Sequence, residues 1–88
     1  MGMPCEVNSI LKLSPQQGYP AMLELGRTYQ VQKDKYRIFP IDVPLPLVDQ
    51  NWVAHADIVI RQLVWERKQT HLTFEITRIY STPFLTKG

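Results

Sequence analysis

His55 and Asp57 stand two residues apart in a run, Trp52–Ile60, whose members Trp52, Ala54, Ala56, Ile58 and Ile60 hold the other parity. Successive strand side chains point to opposite faces, so the imidazole and the carboxylate share the polar face. A carboxylate beside an imidazole orients the ring and stabilises its protonated form, as a general base in hydrolysis requires. The same two residues also make an ordinary solvated strand face. No serine is placed as a nucleophile, and no glycine-rich loop is present to cradle a phosphate. The pattern therefore favours a structural role over a hydrolase. Cys5, the single cysteine, would be a nucleophile if a histidine served as its base. A lone thiol beside a strand start is more often a small packing residue. The two histidines, His55 and His71, lack metal-ligand spacing with the scattered carboxylates, so neither a metal nor a cofactor is expected.

Two further constellations concern binding. Arg27, Lys33, Lys35, Arg37, Arg61, Arg67, Lys68 and Arg78 interleave with Tyr36, Trp65 and Tyr80. Small β-barrels hold RNA or other single strands with such mixtures, aromatics stacking on bases and cations meeting phosphates. Charged strand edges and turns also keep a sheet soluble, and no RNA-recognition signature accompanies the mixture. Leu45, Leu47, Val48 and Trp52, close to Pro44 and Pro46, form an apolar group suited either to a protein partner or second copy, or to plugging an open barrel end.

These residues need elements to carry them. Leu72, Phe74 and Ile76 alternate with His71, Thr73, Glu75 and Thr77, the pattern of a half-buried strand. In the preceding run the apolar parity of Trp52–Ile60 passes to Leu63 and Trp65, which predicts a bulge at Arg61–Gln62. A second phase change, from Ile76 to Ile79, predicts another irregularity at Arg78. Glu66-Arg67-Lys68-Gln69 has no glycine, so a loop of about four residues is expected there instead of a tight primed turn. Upstream, Glu6–Leu13 and Thr28–Lys33 read as strands, with Asp34-Lys35 turning the second into a hairpin partner, Tyr36–Phe39. Ala21–Leu25 fits either a strand start or one helical turn. Ile41–Gln50, rich in proline, reads as an extended crossover and not an internal strand, with Val48-Asp49-Gln50 as a short helical turn. Pro83 is expected to end the last strand, leaving Phe84–Gly88 as a tail.

The 88 residues suit one domain. An apolar content of 44% supports a core and argues against disorder. No apolar run is long enough for a transmembrane helix and no signal peptide is visible, so a cytoplasmic protein without membrane contact is expected. The net charge of +2 alone implies no nucleic acid, but its distribution is uneven. Residues 27–37 and 61–88 each sum to +3 and enclose residues 38–60 at −3, which makes a dipolar surface.

The opening Met1-Gly2-Met3-Pro4 with Glu6 and Asn8 resembles that of the YtmB-like family of small uncharacterised bacterial proteins. Lys33-Asp34, Tyr36-Arg37 and Phe39-Pro40 are similar to its central hairpin, and Ala56, Leu63-Val64-Trp65-Glu66 and Ser81-Thr82 to its last strands. The likeness spans the chain outside Ser14–Leu25. It departs at Lys35, where family members tend to have glycine. The resemblance implies a small all-β domain with no known activity, and it transfers no functional residue.

The expectation is thus a single all-β domain over residues 1–88: a small, partly open β-barrel of five or six mostly antiparallel strands with a long bulged C-terminal hairpin. Its leading role is a non-enzymatic protein-interaction or regulatory module, which includes a homodimer. The alternative is a nucleic-acid-binding barrel for RNA or single strands. The binding candidates are Lys33, Lys35, Arg37, Leu45, Leu47, Trp52, His55 and Asp57.

Overall fold

The alternating stretch becomes the two longest elements. The computed structural model describes residues 7–86; Cys5 and Glu6, and with them the start of the expected first strand, lie outside the described residues. Among the described residues there are five strands: β1 (Leu11–Lys12), β2 (Thr28–Asp34), β3 (Pro44–Val48), β4 (Val53–Glu66) and β5 (Gln69–Leu85). They form one mixed sheet in the order β1-β3-β4-β5-β2, in which only β1–β3 is parallel. No ladder joins the two outer strands, so the sheet is not closed. No α-helix occurs among the described residues, and no helix there is long and apolar enough to cross a membrane.

The inner face follows from the alternation. Leu72, Phe74 and Ile76 of β5 are buried against Ala56, Ile58 and Ile60 of β4, Val31 of β2 and Leu45 and Leu47 of β3. Tyr29 stacks on Phe74 with ring centroids 5.5 Å apart. The phase change in β4 is a bulge: Ile60 pairs with Phe74 and Gln62 with Thr73, which leaves Arg61 as the extra residue. Its guanidinium turns outward to Asp42 and Glu75. The second phase change is also present, with Thr77 unpaired between Ile76 and Arg78.

Several expectations need correction. The β4–β5 connection is a two-residue turn, since Glu66 pairs with Gln69 and both Arg67 (φ 53°) and Lys68 (φ 62°) are left-handed. Each such residue costs about 1–2 kcal/mol without glycine. Neighbours offset that cost: the Lys68 amide donates to the Tyr36 hydroxyl at 3.0 Å, and the Lys35 amide donates to the Lys68 carbonyl at 2.7 Å. Those same bonds explain why Tyr36–Phe39 is not a hairpin strand. Lys35 is itself left-handed (φ 70°), so the chain leaves β2 and crosses the tip of the β4–β5 hairpin, while β2 pairs with β5.

The proline-rich segment is an internal strand after all. Pro44 and Pro46 stand at alternate positions, so both missing N–H groups fall on one side of β3. On its β1 side only Leu47 and Val48 are paired, beyond both prolines. Val48–Gln50 makes no helical turn; Asp49 opens a hairpin loop that returns through Trp52. The last strand also outruns Pro83, because Phe84 and Leu85 rejoin the ladder opposite Ala54 and Val53. The proline lies in the unpaired stretch Tyr80–Pro83, where no ladder amide is needed. At the other end β1 is two residues long, and Val7 only bridges to Ile38. Ala21–Leu25 is neither strand nor helix. It leads into a turn closed from the Arg27 amide to the Glu24 carbonyl at 3.2 Å, with Gly26 at φ 80°.

Candidate functional site

His55 and Asp57 do not act as a pair. The register of β3 runs from Leu47–Ala56 to Val48–Ala54, and that of β5 from Ile79–Ala56 to Phe84–Ala54, so His55 is the unpaired residue of both ladders. A bulge re-aims its side chain. His55 Nε2 meets Asp49 Oδ2 at 2.7 Å, while the Asp57 carboxylate accepts the Tyr80 hydroxyl. Alternation does not point to Asp49, because it lies in the loop six residues before His55, where strand parity does not apply. Its other oxygen accepts the amides of Asn51 (2.8 Å) and Val53 (3.1 Å). Partial burial pushes the Asp49 carboxyl up, but His55 and the two amides outweigh it and hold it below the usual carboxylate range. Edge-on to His55, at 6.1 Å between centroids, is Tyr19, whose buried hydroxyl oxygen has no hydrogen-bond partner among the described residues. Asp49 thus fixes both the hairpin loop and the His55 ring. Trp52 completes that loop with left-handed backbone (φ 68°), and Lys12 lies over its indole at 4.7 Å. Among the described residues no cluster of three metal-ligating side chains forms.

Leu45 and Leu47 are 5% and 0% exposed and belong to the core, so they are not available as a contact surface. Their alternation places them on the same inner face as Ile58 and Ala56, with which they pair. Lys33 sits at the gap between the outer strands, its ammonium donating to the Lys12 carbonyl. Burial first, then the charges of Arg37 and Lys12, brings its pKa from the ordinary 10.5 down to about 8.

The pH dependence follows from these groups. Between about pH 8 and 10.5 the unfolded chain holds the Lys33 proton that the folded one has lost, so stability rises with pH. Tyr19 and Tyr80 are pushed up to about 12, Tyr19 by burial and then Asp49, Tyr80 by burial and then Asp57. The folded chain keeps those protons above 10, so stability falls from there to about pH 12. Urea denaturation across this range should show a maximum near pH 10, and Lys33→Met should remove its rising limb. A profile flat from about pH 8 to 10 and falling only above it would show that Lys33 titrates as a solvated amine.

Lys35 and Arg37 come together with residues from the far end of the chain. Thr70, fully buried, donates its hydroxyl to the Lys35 carbonyl and accepts the Arg37 amide, both at 2.8 Å. Trp65 Nε1 donates to the Arg37 carbonyl at 2.8 Å. Tyr36 and Trp65 are thereby held with ring centroids 6.2 Å apart, yet stay 57% and 54% exposed. Around them stand Lys35, Arg37, Arg67 and Lys68. None of these four forms an ion pair among the described residues, whereas Arg27 is tied to Glu24 and Arg61 to Asp42 and Glu75. The hairpin tip therefore gathers four cations without an ion pair around two exposed aromatic rings, with Glu66 and Asp34 beside them in the ladder. Sequence reading had the residue types but spread them over eight positions, since the crossing of the tip by residues 35–37 was not foreseen.

Residues 1–83 match the family described as Domain of unknown function (DUF2584). The X-ray structure of YtmB from Bacillus subtilis is similar to this one with a TM-score of 0.71, at 25% identity over 92% of this chain and 96% of that one. The resemblance carried by the short motifs therefore holds over nearly the whole chain. No curated protein matches it.

Proposed function

The chain belongs to this family of unknown function, and we propose that it is a non-enzymatic module that binds single-stranded nucleic acid, RNA above all, at the hairpin tip. One observation carries the reading: Tyr36 and Trp65, exposed and fixed by backbone contacts, stand among four cations that form no ion pair among the described residues. Exposed aromatic faces stack on bases, at about 1–3 kcal/mol per base, and unpaired cations meet phosphates. The frame suits the task. We read the curled sheet as a partly open barrel, because Lys33 of one outer strand reaches the backbone of the other, and small barrels of this kind bind single strands. The protein-contact reading loses support with Leu45 and Leu47 in the core.

Fluorescence anisotropy with a labelled single-stranded RNA of mixed sequence tests the proposal. Four phosphate contacts should give a log–log salt slope near −3, at about 0.7 for each phosphate. Lys35→Glu, Arg67→Glu and Lys68→Glu together should abolish binding at physiological salt, and Trp65→Phe should retain more of it than Trp65→Ala. Absence of binding at low salt, or a slope near zero, sinks the reading. If the chain instead self-associates through the exposed Ile79, Phe84 and Leu85, it is a protein-contact module.

A further inference from the structure

A cation stands on the inner face of β2, where the alternation calls for an apolar residue. Tyr29 and Val31 pack on the core, and Lys33 follows them at the same parity. Its cross-strand partner Thr70 is fully buried. On its other side β2 has no ladder, because β1 and β2 are the two outer strands of the sheet. Across that seam the Lys33 ammonium donates to the Lys12 carbonyl of β1.

Two more cations meet it there. Arg37 Nε donates to the Asp34 carbonyl at 2.9 Å, one residue along β2 from Lys33, and its two terminal nitrogens hydrogen-bond nothing among the described residues. Lys12 belongs to the opposite lip, with its ammonium over the Trp52 ring at 4.7 Å. All three side chains are partly buried. The partner of each is neutral, a carbonyl or an aromatic face, and none of the three forms an ion pair among the described residues. Asp34, the acid next to Lys33, has the other parity and is exposed on the outer face. Burial strips a cation of hydration, and crowding it with like charges adds repulsion. Both effects act on Lys33, burial first and then Arg37 and Lys12, and bring its pKa down to about 8.

We propose that the seam between β1 and β2 binds a phosphate monoester dianion, held by Lys33 and Arg37 on one lip and by Lys12 on the other. A double negative charge answers the gathered cations. The terminal oxygens of a phosphate accept hydrogen bonds on both sides of a gap at once, which a planar carboxylate does not. The open edge of the Arg37 guanidinium takes two of them side by side, while each ammonium acts as a point charge. The phosphate belongs either to a free ester or to the end of a bound strand, so the site does not depend on the single-strand reading above. Lys33 and Trp65 both pair with Thr70 and are two strand spacings apart, roughly 10 Å, so a strand stacked at the tip reaches the seam with its terminal phosphate.

The probe is inorganic phosphate, titrated by calorimetry in buffers of different ionisation enthalpy. At about pH 8.5 the free protein has lost most of the Lys33 proton and a bound dianion restores it, so binding should take up roughly three-quarters of a proton. Lys33→Met should weaken binding about tenfold or more, the effect of one hydrogen bond to a charged group. Lys33→Arg should keep most of the affinity and lose the proton uptake, because arginine does not titrate there. Circular dichroism checks that both variants are folded. Equal phosphate binding by the parent and Lys33→Met overturns the site, and so does binding without proton uptake or no binding at all. Short uridine oligonucleotides with and without a terminal phosphate, compared by fluorescence anisotropy, identify the source. An advantage of the phosphorylated strand that disappears in Lys33→Met assigns the phosphate to a strand end. Equal binding of the two strands, with inorganic phosphate still bound at Lys33, assigns it to a free ester. If no strand binds at low salt while phosphate does, the single-strand reading falls and the seam site stands.

Discussion

Phe74→Ala is expected to destabilise the fold by about 3–5 kcal/mol, among the largest single losses a side-chain truncation can produce here. Phe74 is fully buried at the centre of β5, stacked on Tyr29 and opposed by Ile60. Its removal loses the transfer energy of a whole ring and leaves a cavity bounded by strands paired on both sides, which cannot collapse into it. Thr73, its neighbour on the outer face, should cost within about half a kcal/mol when cut to alanine. Urea denaturation of the two variants, with the slope of the transition unchanged, measures both quantities. Equal losses would mean that the strand does not present its even-numbered side chains to the core.

Thr70→Val should cost about 2–4 kcal/mol although it conserves shape. The hydroxyl of the buried Thr70 is the shared partner of the Lys35 carbonyl and the Arg37 amide, and valine leaves both part-buried groups without one. Each buried polar group stranded in this way costs about 1–3 kcal/mol. Thr70→Ser, which keeps the oxygen, should lose much less. The consequence reaches the proposed interface, because residues 35–37 carry Tyr36, supply the carbonyl that holds Trp65, and stabilise the left-handed Arg67-Lys68 turn. RNA affinity should therefore fall in Thr70→Val more than stability alone explains, measured well below the melting temperature. If valine and serine prove equally stable, the hydroxyl is not what fastens the segment to the hairpin.

What was legible in the chain was whatever depends on strand parity. Leu72, Phe74 and Ile76 declare their face, and the change of phase from Ile60 to Leu63 locates the Arg61 bulge within a residue. What was illegible depends on contacts between distant parts. The turn at Arg67-Lys68 contradicts local preference and exists because Tyr36 and Lys35, some thirty residues earlier, satisfy its backbone. Pro44 and Pro46 argue against an internal strand only if both sides of β3 are paired along its whole length, and β1 is too short for that. His55 and Asp57 share a parity on paper. The double register break at His55 hands the ring to Asp49 instead, and no pattern of alternating residues announces a bulge that changes only one side chain. Leu45 and Leu47 stayed open between a contact patch and a plug for the barrel end because the prolines around them hid the strand that buries them.

The strand order has a bearing on how the chain is made. Strands β3, β4 and β5 follow one another in sequence and pair in that order, so residues 44–85 contain a complete three-stranded meander. The earlier part supplies only outer strands: β1 must find β3, and β2 must find β5, about forty residues further on. A chain emerging from the ribosome N-terminus first therefore holds β2 without a template until the C-terminal hairpin is finished. Folding should begin late and at the far end, with loop closure of the two outer strands as the slow steps. A chain truncated before β5 has no surface on which β2 can form, while one lacking the residues before β3 retains the whole meander.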